Sequence, residues 1–217
     1  MSANISPHGA KHPTLVLVRH GETEGESSIR YHGRTDVPLS EVGRRQMRAV
    51  RDVPVTGTKW SDFVHVFATP LSRARESAQI VAGHDCVVAI EDFREVDFGW
   101  FEGLTADEIR ERHPAEFERW TRDKFLPSYA YPGGESRAAF ERRVARGVER
   151  MFELWTPGSL DGANSALLVA HRGVIRRVAR ILAAAEPVVE LGSIQILEHD
   201  GRWRARALDL TDHLANI

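Results

Sequence analysis

The chain has 217 residues, with 29 Lys and Arg against 31 Asp and Glu, a net charge of −2, ten His and one Cys. That length suits one larger domain with a substantial core; no run approaches the ~18 apolar residues of a membrane span, and mixed, near-neutral charge gives no footprint for nucleic acid or an anionic membrane. The single Cys86 excludes an internal disulfide and any multi-cysteine metal site.

Residues 1–13 lack the apolar stretch of a signal peptide and read as a short disordered tail on a cytoplasmic protein, with one domain over 14–217. From Thr14 onward, apolar runs alternate with amphipathic stretches, which predicts a layered α/β domain with a mostly parallel sheet. Thr14 to Val18 is the first strand, continuous and apolar as a strand buried on both faces should be. Asp62 to Phe67, Cys86 to Ile90 and Ser165 to Val169 follow as the second to fourth strands. Ser193 to Glu198 and Arg202 to Leu208, joined at Asp200-Gly201, form a hairpin. Thr69-Pro70 places a capping hydroxyl and a first-turn proline before a helix running to about Ala82. Thr105 and Glu108 make a capping box. From Ser136, the residues Phe140, Val144, Val148, Met151, Phe152 and Trp155 fall on one helical stripe, which packs on the sheet. The stretch from Phe101 to Glu135 is charged, aromatic and broken by Pro and Gly, and reads as an inserted lid.

Chemistry gathers where strands end. Arg19 and His20 follow the first strand, Arg73 opens the helix after the second, Glu95 follows the third and His171 the fourth. In parallel sheets ligands bind beyond the carboxyl ends of strands, where helix N-termini also point. Two guanidiniums, two imidazoles and two helix N-termini describe an anion site, and phosphate is the obvious anion. A neutral imidazole beside Arg side chains is a nucleophile toward phosphorus. Glu95 would then keep its proton for the leaving alcohol and afterwards activate water.

These segments, LVLVRHGETEGE, GRTDVPLSEVGRRQ, TPLSRARESA, FREVDFGWFEG and LLVAHRGVIR, resemble in matching order the histidine phosphatase superfamily, the phosphoglycerate-mutase-like family, over roughly residues 14 to 185. The phosphatase branch is the better likeness, because the second His leads into the apolar Gly173-Val174-Ile175. The resemblance implies a three-layer α/β/α sandwich with a mostly parallel central sheet and a helical lid. It implies catalytic roles for His20, Glu95 and His171, with His20 phosphorylated, and a phosphate pocket of Arg19, Arg73 and His171. It sets Arg30, His32, Gly33 and Thr23 toward the rest of the substrate, a small phosphorylated molecule, and implies no metal or cofactor. Two positions depart from the pattern. Glu26 stands where Asn is usual and would repel a phosphate unless turned away or answered by Arg30. Arg172 stands where Gly or Asn is usual and either adds a guanidinium to the rim or faces solvent.

The other histidines, His8, His12, His65, His84, His113, His199 and His213, carry no expected site role, and Arg44-Arg45 and Arg176-Arg177 read as solvated helix faces. Trp100, Phe101, Trp120, Phe125, Tyr129 and Tyr131 stand available in the lid to shield a leaving group. The alternatives are a cofactor-dependent phosphoglycerate mutase, a catalytically inactive phospho-ligand binding protein, and a metal oxygenase or hydrolase built on two His and a carboxylate. Two guanidiniums beside a dication would be hostile to the last. Monomer and homodimer both remain open.

Overall fold

The computed structural model describes residues 12–25, 29–55, 59–156 and 164–217. Glu26 and most of the N-terminal tail lie outside the described residues. Six strands form one sheet: β1 (Thr14–Arg19), β2 (His65–Ala68), β3 (Val88–Ala89), β4 (Ser165–Ala170), β5 (Ile194–His199) and β6 (Trp203–Leu210). Their order is β3-β2-β4-β1-β5-β6, with β3, β2, β4 and β1 parallel and β5 and β6 antiparallel.

Alternation along β1 explains the layering. Leu15 and Leu17 face one apolar cluster while Val16 and Val18 face the other. The first cluster takes α5 (Arg137–Leu154) and α6 (Arg172–Ala183); the second takes α1 (Glu41–Asp52) and α2 (Ser72–Ala82). The helical stripe expected from Ser136 is present: Ser136 caps α5 through Ala139 N, and Phe140, Val144, Val148 and Met151 are buried. The stretch expected as a lid contains α3 (Ala106–Arg112) and α4 (Pro114–Asp123), and α3 opens on the Thr105–Glu108 capping box. Phe101 is fully buried beneath it, and burying a ring of that size contributes about 1.5–3 kcal/mol.

Two elements differ from expectation. The second strand starts only at His65, because Trp60–Asp62 form a 3₁₀ turn. The third is reduced to the exposed pair Val88–Ala89, since it pairs along one side only, at the sheet edge. The chain between it and Glu95 turns through a short 3₁₀ segment, Glu91–Phe93, pinned by the buried Phe93 ring. That ring lies where a side chain on Gly147 of α5 would project, 2.6 Å from its Cβ position.

Candidate active site

His20 and His171 meet beyond the carboxyl ends of the neighbouring strands β1 and β4, their ring centroids 5.0 Å apart. Both are buried. The His20 backbone N–H still donates to Ala170 O at 3.1 Å, so the sheet ladder holds the residue as it leaves β1. Gly21 follows under a steric requirement: a Cβ there would lie 2.5 Å from Gly43 O in the first turn of α1. The His20 ring places Nδ1 2.7 Å from Gly21 O. A carbonyl only accepts, so Nδ1 carries the proton and Nε2 keeps a free lone pair.

Arg73 is fully buried in the first turn of α2. Its Nη1 donates to Thr35 O at 2.8 Å, and its Nη2 donates to His32 O at 3.1 Å and Gly33 O at 2.8 Å. The loop carrying His32 and Gly33 therefore serves the pocket through its backbone. Gly33 cannot be replaced there, because a Cβ would fall 2.0 Å from Val96 O. The expectation that Thr69 caps α2 fails. Asp36 takes that part, accepting from Ser72 N at 2.8 Å, while Thr69 Oγ1 accepts from Leu71 N and lies 3.0 Å from His171 Nε2.

Glu95 is buried with each carboxylate oxygen engaged: Oε1 accepts from Val96 N and Oε2 from Gly173 N, both at 3.0 Å. Arg143 secures the approach, donating to the carbonyls of Asp92, Arg94 and Glu95 and pairing with Glu135. Gly173 is what lets the carboxylate come so close to α6. A Cβ there would sit 2.5 Å from Glu95 Oε1 and 3.1 Å from Phe140. Gly173→Ala is accordingly expected to push the carboxylate aside and lower kcat by about 10²-fold, the scale of an ångström misplacement. Steady-state kinetics on any turned-over phosphomonoester check this.

Arg19 is held by a different device. Its Nη1 donates to Val189 O at 3.1 Å, and the same oxygen accepts from Arg172 Nε at 3.1 Å. Val189 is buried with φ at 62°, a left-handed conformation that a β-branched residue rarely adopts. Such strain costs on the order of 1–3 kcal/mol and needs support. Asp209 of β6 supplies it, accepting from Val188 N at 2.8 Å and Val189 N at 2.9 Å.

The electrostatics follow from this packing. Burial, then the Arg73 and Arg19 charges, hold the His20 imidazole well below its ordinary pKa. His171 is lowered in the same way by burial and then Arg73. Burial, followed by Arg172, brings Arg19 down to about 10. Both imidazoles are therefore neutral at pH 7. The unfolded chain takes up protons on these histidines below about pH 6.5, whereas the folded chain does not, so stability falls as pH drops through that value. The expected slope is at most about 1.4 kcal/mol per pH unit for each histidine. Urea unfolding at a series of pH values between neutrality and pH 5 checks it; stability unchanged across that range would contradict it.

These groups open into a cavity of about 1120 Å³ that also receives Thr23, Arg30, His32, Trp120, Phe125, Tyr129, Tyr131 and Arg172. Arg30 is there but engaged, with Glu108 and Gly103 O as partners. Two expectations fail. Phe101 belongs to the core and Trp100 lies outside, against His113, because the turn at Gly99 directs them away from the cavity. Arg176 and Arg177 line the cavity instead of serving only as a solvated face, because α6 starts at the site and runs along its wall. Tyr31 and Phe98 join the wall in edge-to-face contact at 5.2 Å and carried no expected role, although Phe98 sits inside a segment already singled out and Tyr31 lies between Arg30 and His32. Among the described residues, no three His, Cys, Asp or Glu side chains group so as to hold a metal ion.

A sheet of this order, with paired histidines buried beside guanidiniums at its carboxyl edge, defines an α/β protein with a cationic pocket. The family model of the histidine phosphatase superfamily (branch 1) matches residues 15–209, and the chain belongs to that superfamily. It is 35% identical over 210 residues to the bifunctional protein Rv2228c of Mycobacterium tuberculosis, covering 92% of this chain but 54% of that one, so it spans about half that relative's length. It is 26% identical over 213 residues to the uncharacterised phosphatase PhoE of Bacillus subtilis, covering 94% and 97% of the two chains. Among solved structures, a mycobacterial glucosyl-3-phosphoglycerate phosphatase superposes with a TM-score of 0.71 at 26% identity, over 93% of this chain and all of that one. No helix of the described residues is long and apolar enough to cross a membrane.

Proposed function

We propose that this chain hydrolyses phosphomonoesters through a phosphohistidine on His20. The observation that carries the reading is a set of unpartnered buried nitrogens: among the described residues, Arg19 Nε, Arg73 Nε and His171 Nδ1 each lack a hydrogen-bond partner, in the cavity that also holds Nε2 of His20. Buried donors are costly when unpaired, and three oxygens of a phosphoryl group satisfy all three. In this reading the Thr69 hydroxyl, 3.0 Å from Nε2 of His171, donates to it, which leaves the ring proton on Nδ1 for the ligand.

In the first step His20 Nε2 forms a bond to phosphorus as the bond to the ester oxygen breaks. Glu95 protonates that oxygen, and the alcohol leaves. Water then attacks the phosphohistidine and gives its proton to Glu95, and inorganic phosphate departs. Arg19, Arg73 and His171 stabilise the charge on the transferring oxygens throughout, as fixed donors in a site shielded from water do. Thr23, His32 and Arg30 border the leaving group, Gly33 acts behind them by holding Arg73 through its carbonyl, and no metal takes part.

Phosphate release from a panel of phosphomonoesters, with acid quenching of the enzyme on a ³²P-labelled substrate, tests this. A base-stable, acid-labile phosphoprotein is expected. Transfer of the label to an added sugar acid in preference to water would favour a mutase instead, and binding without turnover would leave a phospho-ligand binding protein.

A further inference from the structure

The cavity carries more positive charge than one phosphoryl group requires. Its walls include nine Lys and Arg side chains against four Glu, in a chain whose net charge is −2. Arg19 and Arg73 serve the buried end. Farther out, Arg30 is answered by Glu108, Arg137 and Arg177 by Glu141, and Arg180 by Glu186. Lys124 lies over the Trp120 and Phe125 rings, and Arg172 and Arg176 are not answered. Among the described residues, neither forms an ion pair, and Glu190 on the same wall reaches neither.

Both are exposed, yet each is tethered at its inner nitrogen. Arg172 Nε donates to Val189 O at 3.1 Å and Arg176 Nε to Pro187 O at 2.9 Å. One short backbone segment, steadied by Asp209, thus anchors both guanidiniums by their inner nitrogen and, among the described residues, leaves both Nη groups of each without a hydrogen bond. The two residues stand one helical turn apart on α6, a spacing of about 5–6 Å that suits a shared ligand. A guanidinium held this way presents a planar fork to a phosphate or carboxylate with little ordering left to do.

We infer that Arg172 and Arg176 form a second anion site beside the phosphoryl pocket, and that the substrate is a phosphomonoester whose leaving group bears a further phosphate or carboxylate. The inference rests on the phosphomonoester reading for the identity of the reacting group, but the binding site itself is measurable without turnover. Calorimetry with alkane-α,ω-bisphosphonates of increasing length, each against the alkylphosphonate of the same length, provides the measurement. At the best-spaced length the bisphosphonate is expected to bind about tenfold tighter or more, equivalent to about 1.4 kcal/mol, well beyond the statistical advantage of about twofold for two equivalent ends. The preference should fall to that statistical level in the R172Q/R176Q variant, survive in part in R172K/R176K, and shrink as salt is raised. A wild-type preference no greater than statistical at every length, or one that persists in R172Q/R176Q, overturns the second site. A preserved preference in a protein that releases no phosphate from any ester upholds the second site and removes the hydrolase reading instead.

Discussion

His20→Gln is expected to reduce kcat by about 10⁴-fold or more, on the scale of removing a nucleophile from a covalent mechanism, and to abolish the phosphoprotein. The amide keeps a neutral polar side chain of similar size beside Gly21 O, so the loss measures nucleophilicity rather than folding; a thermal melt in the presence of inorganic phosphate verifies that. The tautomer decides which nitrogen attacks. Because Nδ1 is committed to a carbonyl at 2.7 Å, only Nε2 is left to attack, and burial, then the nearby guanidiniums, keeps it unprotonated. For the same reason the acidic limb of kcat/KM should lie below pH 6.5. A variant that keeps a tenth of wild-type turnover and still forms an acid-labile phosphoprotein would place the nucleophile elsewhere.

Glu95→Gln is expected to separate substrates by leaving group. An alkyl phosphate, whose alkoxide must be protonated as it departs, should slow by about 10²–10⁴-fold. For p-nitrophenyl phosphate the first step needs little help, yet water still lacks its base in the second. The variant should therefore release a stoichiometric burst of nitrophenolate and then turn over slowly as phosphohistidine accumulates. The amide preserves the acceptor oxygen for one of the two backbone N–H groups that now hold the carboxylate. Equal slowing of alkyl and aryl esters without a burst would remove Glu95 from proton transfer.

The sheet was legible wherever a strand is buried on both faces, as with β1 and β4, because a continuous apolar run leaves little else to form. It was poorly legible at β3, where an edge position asks for only two paired residues. The convergence of Arg19, His20, Arg73, Glu95 and His171 on one cavity followed from the rule that strand ends and helix starts share an edge of the sheet. What holds these groups was not readable. Thr69 looked like a cap because its hydroxyl precedes Pro70, and only three-dimensional packing shows Asp36 arriving from a distant loop to take that place. Likewise Arg176 carries no local sign that α6 faces a cavity, and nothing around Val189 announces a left-handed valine. Such features depend on contacts between residues far apart in the chain, to which periodicity is blind.

Under the proposed function, the Val189 turn makes the last strand a working part of the phosphate pocket. From Asp209 the linkage passes through two amide protons to Val189, and from its carbonyl to Arg19 and Arg172. Because backbone oxygens, and not carboxylates, grip these guanidiniums, their charge is oriented without being cancelled. A chimera that kept every recognisable motif but exchanged the C-terminal hairpin for one without a carboxylate at this position would inherit the chemistry and lose its grip on phosphate.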